Sequence, residues 1–201
     1  MKLLLGLVLV VFSFASKASI ITFSESDVSD YGSQSQSGGY SIFDSGSGLV
    51  VYGNNWVSID LSSLSSWANS LLVFEFMTTD VGEINGVGFD NDNQLSTGGT
   101  VFQLGGTQTY GIQDYVIDII EGVWYTVIID LSLYDLSDYT SLVFIADQDT
   151  AGSETTSYFR NVAIVDLNNA SNISEVSAPA TISLFLGIAG LMFVRARCKT
   201  K

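Results

Sequence analysis

Histidine is absent from this 201-residue chain, cysteine and proline occur once each, and seven basic residues stand against 21 acidic ones. Without imidazole there is no histidine ligand for zinc, no His general base and no Ser–His or Cys–His pair. The one cysteine, Cys198, lies three residues before the last in the sequence. The body of the chain therefore has neither a disulfide nor a thiolate nucleophile. The bases are also unevenly distributed. Arg160 alone stands among the 21 acids that run from Glu25 to Glu175. A surface so charged repels phosphate backbones, which excludes nucleic acid as a partner. It suits cations, or a medium whose salt screens self-repulsion.

Arg160 apart, positive charge and long apolar runs are confined to the two ends. "MKLLLGLVLVVFSFASKASI" opens with Lys2, is apolar from Leu3 to Phe14, and then meets small residues. Ser16 and Ala18 occupy the −3 and −1 positions of a cut between Ala18 and Ser19, so residues 1–18 are predicted to be a secretory signal peptide. The apolar run is short for the ~20 residues a membrane-spanning helix needs. At the other end, 19 residues without charge separate Glu175 from Arg195. As a helix they would reach ~28 Å, close to the ~30 Å of a bilayer core. A transmembrane helix is expected at about 178–194, with Ser177 and Pro179 suited to its first turn. Arg195, Arg197, Lys199 and Lys201 follow, and by the positive-inside rule residues 195–201 stay in the cytoplasm.

Val176, Ser177, Ala178, Pro179, Ala180 and Thr181, followed by "ISLFLGIAGLMFV" and "RARCKTK", resemble the PEP-CTERM sorting tail of exported bacterial proteins. Ser177 and Ala178 stand where the usual motif has Pro and Glu. The resemblance implies an exosortase-type membrane protease as partner, retention in the inner membrane before processing, and a destination at the cell surface or in extracellular matrix.

Between the ends, short segments rich in β-branched and aromatic residues alternate with Gly, Asn and Ser turns. They include "GLVVYG", "NWVSIDL", "LLVFEFMTTD", "TVFQLGG", "VWYTVIID", "SLVFIADQD" and "SYFRNVAIVDL". In "LLVFEFM" the alternation puts Phe74 and Phe76 on one face and Glu75 and Met77 on the other. Roughly ten such strands predict an all-β domain, an antiparallel jelly-roll-like β-sandwich, over residues 19–167. "SESDVSDYGSQSQSGG" reads as a long loop, and residues 168–175 as a polar linker.

Three stretches carry candidate chemistry. "GEINGVGFDNDNQ" supplies Glu83, Asp90 and Asp92, and "ADQDTAGSE" supplies Asp147 and Asp149. Carboxylates two residues apart on a turn can converge on one calcium ion, which takes six to eight hard oxygens. The metal set expected is thus Glu83, Asp90, Asp92, Asp147 and Asp149, although Asp and Asn are also ordinary loop formers. The third stretch, "GGTQTYGIQDY", carries Gln108, Tyr110, Gln113 and Asp114. Trp56, Trp67, Tyr110, Tyr115, Trp124 and Tyr125 are the rings that could form a stacking face. Arg160 is expected to meet a carboxylate, because an unpaired buried guanidinium is costly.

Gly82-Glu83-Ile84, Gly86-Val87-Gly88-Phe89-Asp90, Gly106-Thr107-Gln108, Asp147-Gln148-Asp149 and Tyr158-Phe159-Arg160-Asn161-Val162 occur in that order. Together they resemble a β-sandwich module found beside polysaccharide-degrading enzymes and on surface proteins of marine bacteria. The resemblance implies a non-catalytic, carbohydrate-binding jelly roll assisted by calcium, with Gln108, Tyr110, Gln113 and Asp114 facing the sugar. Tyr110 stands where that module has Trp. A purely structural or adhesive surface protein fits the same composition. A hydrolase or lyase using two of Glu75, Glu83 and Glu121 is the remaining alternative.

Overall fold

The computed structural model describes residues 17–64, 69–94, 100–150 and 154–167. The sorting tail with its expected helix, the apolar run of the leader, and Trp67 lie outside the described residues. Among those described, no helix is long and apolar enough to cross a membrane.

Period-two alternation translates directly into strands. They are β1 (Lys17–Ile20), β2 (Val28–Asp30), β3 (Ser37–Phe43), β4 (Gly48–Asp60), β5 (Ser70–Met77), β6 (Ile84–Asp90), β7 (Val101–Gly105), β8 (Tyr125–Asp130), β9 (Ser141–Asp147) and β10 (Thr156–Asp166). All pairings between them are antiparallel. Three details depart from the sequence reading. The polar stretch after Phe23 contains a short strand, β2, and β3 begins three residues before Tyr40. "GLVVYG" and "NWVSIDL" are not two strands but one, β4.

That fusion organises the domain. The first half of β4 pairs with β3 and β10, while its second half pairs with β2 and β9. The strand order β7-β6-β9-β4-β10-β5-β8 is therefore one curled sheet, folded over at β4 so that its two halves face each other as in a β-sandwich. Gly53 sits at the fold-over with φ +80°, and a Cβ there would meet the Gly38 Cα at 2.7 Å. Only glycine accepts both conditions. We call the half containing β3, β10, β5, β8 and β1 the first layer, and the half containing β2, β9, β6 and β7 the second.

The core lies between the layers. Leu72, Phe74 and Phe76 of β5 and Phe159 of β10 meet Val87 and Phe89 of β6, Phe102 of β7 and Phe144 of β9. Phe159 is central, with ring centroids 4.9 Å from Phe144, 5.6 Å from Phe76 and 6.0 Å from Phe74. Each such ring removed from water contributes about 1.5–3 kcal/mol. Their alternation also fixes register, since a slip of one residue would turn every Phe outward.

Candidate functional site

The outward face of the second layer carries the alternate residues of its strands. Trp56 of β4 pairs with Ile145 of β9 and shares its face with Val143, Ile84 and Val101. The ring is only 2% exposed because two loops cover it. Tyr31 stacks on it at 5.9 Å and 18°, and Tyr110 meets it edge-on at 6.2 Å. The covering segment is tied down by Tyr31 N–H and Ser35 Oγ, both donating to the Trp56 carbonyl. Trp56 is thus a packing residue here, and a sugar has no access to it.

At the end of this face three carboxylates meet. Glu83, Asp147 and Asp149 each offer an oxygen within 4.8 Å of the others. Backbone geometry brings them together: Glu83 N–H donates to the Asp147 carbonyl at 2.8 Å, and Asp149 N–H to Glu83 Oε2 at 3.2 Å. Gly82 permits the approach, since a Cβ there would meet the Asp147 carbonyl oxygen at 2.5 Å. Asn85 fixes the turn by accepting from Gly82 N–H at 3.0 Å, while its amide nitrogen donates to Thr155, Thr156 and Ser157.

The three carboxylates differ in surroundings. Asp147 is 7% exposed and accepts from Trp56 Nε1 at 2.8 Å. Burial raises its pKa above the ordinary aspartate value, the indole bond opposes that rise, and the charges of Asp149 and Glu83 add to it. Asp149 is exposed and accepts from Asn54 Nδ2 at 2.8 Å; Glu83 accepts from Thr150 Oγ1 at 3.3 Å. Hard oxygens at this spacing could hold a calcium ion, whose charge would offset the mutual repulsion.

Asp90 and Asp92 are not part of this cluster. Ile84 of β6 is paired with Asp147, but Asp90 is paired with Ser141, six residues along the strand. At the usual rise that is roughly 20 Å away. Both instead hold their own turn: Asp90 Oδ2 accepts from Asn93 N–H at 2.6 Å, and Asp92 Oδ1 from Gln94 N–H at 3.0 Å. Asp90 also faces the Tyr31 hydroxyl.

The segment with Gln108, Tyr110, Gln113 and Asp114 does reach the cluster. Thr107 N–H donates to the Gly82 carbonyl and Gln108 N–H to that of Glu83. Its organiser is Gln103 of β7, which sequence reasoning overlooked. This buried amide accepts from Tyr110 N–H at 2.9 Å and Gln113 Nε2 at 2.8 Å, and donates to the carbonyls of Gln108 and Gly105. Only its outward position between the core residues Phe102 and Leu104 could have drawn notice. Gln108 is exposed and Tyr110 half-buried against Trp56; Gln113 spends its amide nitrogen inside the loop. Asp114 is exposed and turns away, toward the Tyr134 hydroxyl.

The other aromatic candidates lie elsewhere. Tyr115 packs edge-on against Phe102, and the Tyr125 hydroxyl accepts from Ile120 N–H. Trp124 lies beneath the Arg160 guanidinium, 3.9 Å from carbon to ring centre. Arg160 is met by Glu75, at 2.8 Å between Nε and Oε2, and not by Asp147 or Asp149.

No family model matches the chain, and no curated protein matches it. Three solved structures similar to it are weak likenesses. One is a Parabacteroides distasonis protein named as a proposed glycosyl hydrolase, at 15% identity, covering 75% of this chain and 100% of that one with TM-score 0.46. Another is a family 29 carbohydrate-binding module from Piromyces equi, at 12% identity, 79% and 96% coverage, and TM-score 0.40. The third is a family 30 carbohydrate-binding module, at 18% identity, 81% and 88% coverage, and TM-score 0.37. At these values the likenesses carry no argument about ligand, and the β-sandwich reading stands on strand pairing.

Proposed function

We propose that this is an exported, exosortase-sorted protein of the cell surface or extracellular matrix, whose jelly-roll-like domain binds polysaccharide without catalysis and is strengthened by calcium. The observation that supports it best is the convergence of Glu83, Asp147 and Asp149 with the Gln103-anchored loop of Gln108 and Tyr110. A cation on those oxygens would stiffen the loop edge where a glycan could be met by Gln108 and the exposed side of Tyr110. The leader and the PEP-CTERM-like tail supply the export and sorting part of the reading. No catalytic role is assigned to Glu75, Glu83 or Glu121: Glu75 is neutralised by Arg160, and Glu121 accepts from Val81 N–H.

The test is retardation of the purified full-length chain, in mild detergent, on gels containing single polysaccharides, with calcium or with EDTA. Retention by at least one polysaccharide, weaker in EDTA, is expected. A folded chain that none retains in either buffer would leave only the structural or adhesive role.

A further inference from the structure

The outward face of the first layer has received no role, and it differs from that of the second in one respect: its rings are not sealed. Tyr158 and Arg160 of β10 project there beside Glu75 of β5, since Arg160 and Glu75 are direct cross-strand partners. Phe43 of β3 and Trp124, just before β8, flank them, and all five side chains are partly exposed. Ring centroids run 6.2 Å from Phe43 to Tyr158 and 6.4 Å from Tyr158 to Trp124. Phe43 can lie over the neighbouring strand because Gly48, its register partner, has no side chain in the way. By contrast, the recess on the second layer lined by Ser26, Asp27, Ser29, Ser58, Asp60 and Ser141 has no ring at all.

Half-exposed rings would be unremarkable without the polar group between them. Glu75 Oε2 takes both available bonds, from Arg160 Nε at 2.8 Å and from Asn161 Nδ2 at 2.7 Å. Among the described residues, Glu75 Oε1 and the two terminal nitrogens of Arg160 have no protein partner. Side-chain exposures of 20% and 32% leave them open to solvent. The backbone is shaped for this: Asn161 adopts φ +54°, unusual for a residue with a side chain, at the register shift that follows Arg160. Such a bulge re-aims side chains, and the strain it stores is commonly found at functional positions. A lock between two strands needs only the Arg160–Glu75 bond. It does not need Trp124 under the guanidinium, nor an acceptor and donors turned outward beside it.

A pyranose ring presents an apolar C–H face and hydroxyls that each donate and accept. An indole next to an open carboxylate oxygen and open guanidinium N–H groups matches both. Charge narrows the class. The ion pair is internally neutral, whereas the surrounding domain has one base to 20 acids, so an anionic polysaccharide would be repelled. We infer that the outward face of the first layer binds a neutral glycan, one sugar lying against Trp124 and Tyr158 with hydroxyls shared between Glu75 Oε1 and the Arg160 terminal nitrogens. The inference rests on the polysaccharide-binding reading but sets the site on the opposite face from the carboxylate cluster and independent of calcium. Neighbouring rings are inclined by 64° and 76°, so successive sugars must rotate along the chain to meet them.

The test uses the full-length chain in EDTA with laminarin, galactomannan and xyloglucan as neutral probes and alginate as the anionic one. A neutral probe should bind, with affinity falling about tenfold in Trp124→Ala and in Glu75→Gln, the scale of one lost ring or charge-assisted contact. Ser29→Ala and Ser58→Ala, in the ring-free recess of the second layer, should leave it unchanged. In the unmodified protein the Trp124 indole N–H resonance should shift during the titration, a readout that needs no variant to fold. If Tyr110→Ala or Asp149→Asn abolishes binding while the Trp124 resonance stays put, this site is wrong and polysaccharide binding itself survives. Binding of alginate alone overturns the neutral class. A folded chain that binds none of the probes in EDTA removes this site; binding that then appears in calcium keeps the polysaccharide-binding reading, and none in either buffer removes both.

Discussion

The indole N–H of Trp56 and the carboxylate of Asp147 are joined at 2.8 Å, so the most enclosed ring of the second layer's outward face holds the most enclosed member of the acidic cluster. Trp56→Phe keeps most of the packing and removes the donor. The Asp147 carboxylate would then be buried without that partner, and denaturant unfolding should report a loss of about 1–3 kcal/mol. A loss as large for Trp56→Phe made in an Asp147→Ala background, where there is no bond to lose, would show that packing and not the bond is responsible.

Calcium should raise the melting temperature of the full-length chain. At a free concentration of about 100 times Kd, linkage gives about 2.7 kcal/mol, or several degrees for a domain of this size. Glu83→Gln and Asp149→Asn should abolish the shift, whereas Asp90→Asn and Asp92→Asn should retain it. Asp147→Asn can still accept from Trp56 while removing one of three repelling charges. It should melt higher than the unmodified chain in EDTA and gain nothing from calcium.

Alkaline titration should find three tyrosines that resist ionisation. Burial, then Asp90, pushes the Tyr31 hydroxyl far above its usual range; burial and Tyr115 do the same for Tyr134; burial and Glu25 raise Tyr40. A hydroxyl whose pKa rises on folding holds its proton more tightly in the folded chain. Its contribution to stability is therefore complete below about pH 10, the unfolded value, and is lost as pH rises beyond it. Phenolate absorbance should appear in two stages, the later one coinciding with loss of folded structure. A single stage at the ordinary pKa would contradict the buried hydroxyls.

Gln103→Ala should loosen the loop between Gly105 and Gln113 and cost about 1–3 kcal/mol, since a buried amide's partners lose it together. Limited proteolysis should cut within that loop first. Equal protection of the loop in the variant would mean that the backbone bonds to Gly82 and Glu83 suffice to hold it.

The strands were legible because burial in a two-layer sheet imposes alternation, and Leu72-Val73-Phe74-Glu75-Phe76 obeys it residue by residue. Partnership was less so. "DND" and "DQD" look equivalent in sequence, yet the seven residues of β6 put them at opposite ends of a face, and only pairing with β9 reveals which lies near Glu83. Trp56 and Trp124 are equally aromatic in sequence. The covering loop of Tyr31 and Ser35 hides one, while the Arg160 guanidinium overlies the other. Arg160 did announce a carboxylate partner, by charge balance, but its identity depended on a register set by core residues two strands deep. Gln103 gave little signal because its role consists of bonds to residues two to ten positions later, to the backbone of Gly105, Gln108 and Tyr110 and the side chain of Gln113.

Strand β1 lies antiparallel to the end of β10, with Lys17 opposite Asp166. The polypeptide therefore leaves the folded domain beside the point where it entered, on one edge of the first layer. A cut between Ala18 and Ser19 would take Lys17 and Ala18 out of this ladder and leave Ser19 and Ile20 opposite Ile164 and Ala163, so removal of the leader would bare the end of β10 at Val165 and Asp166 on that side.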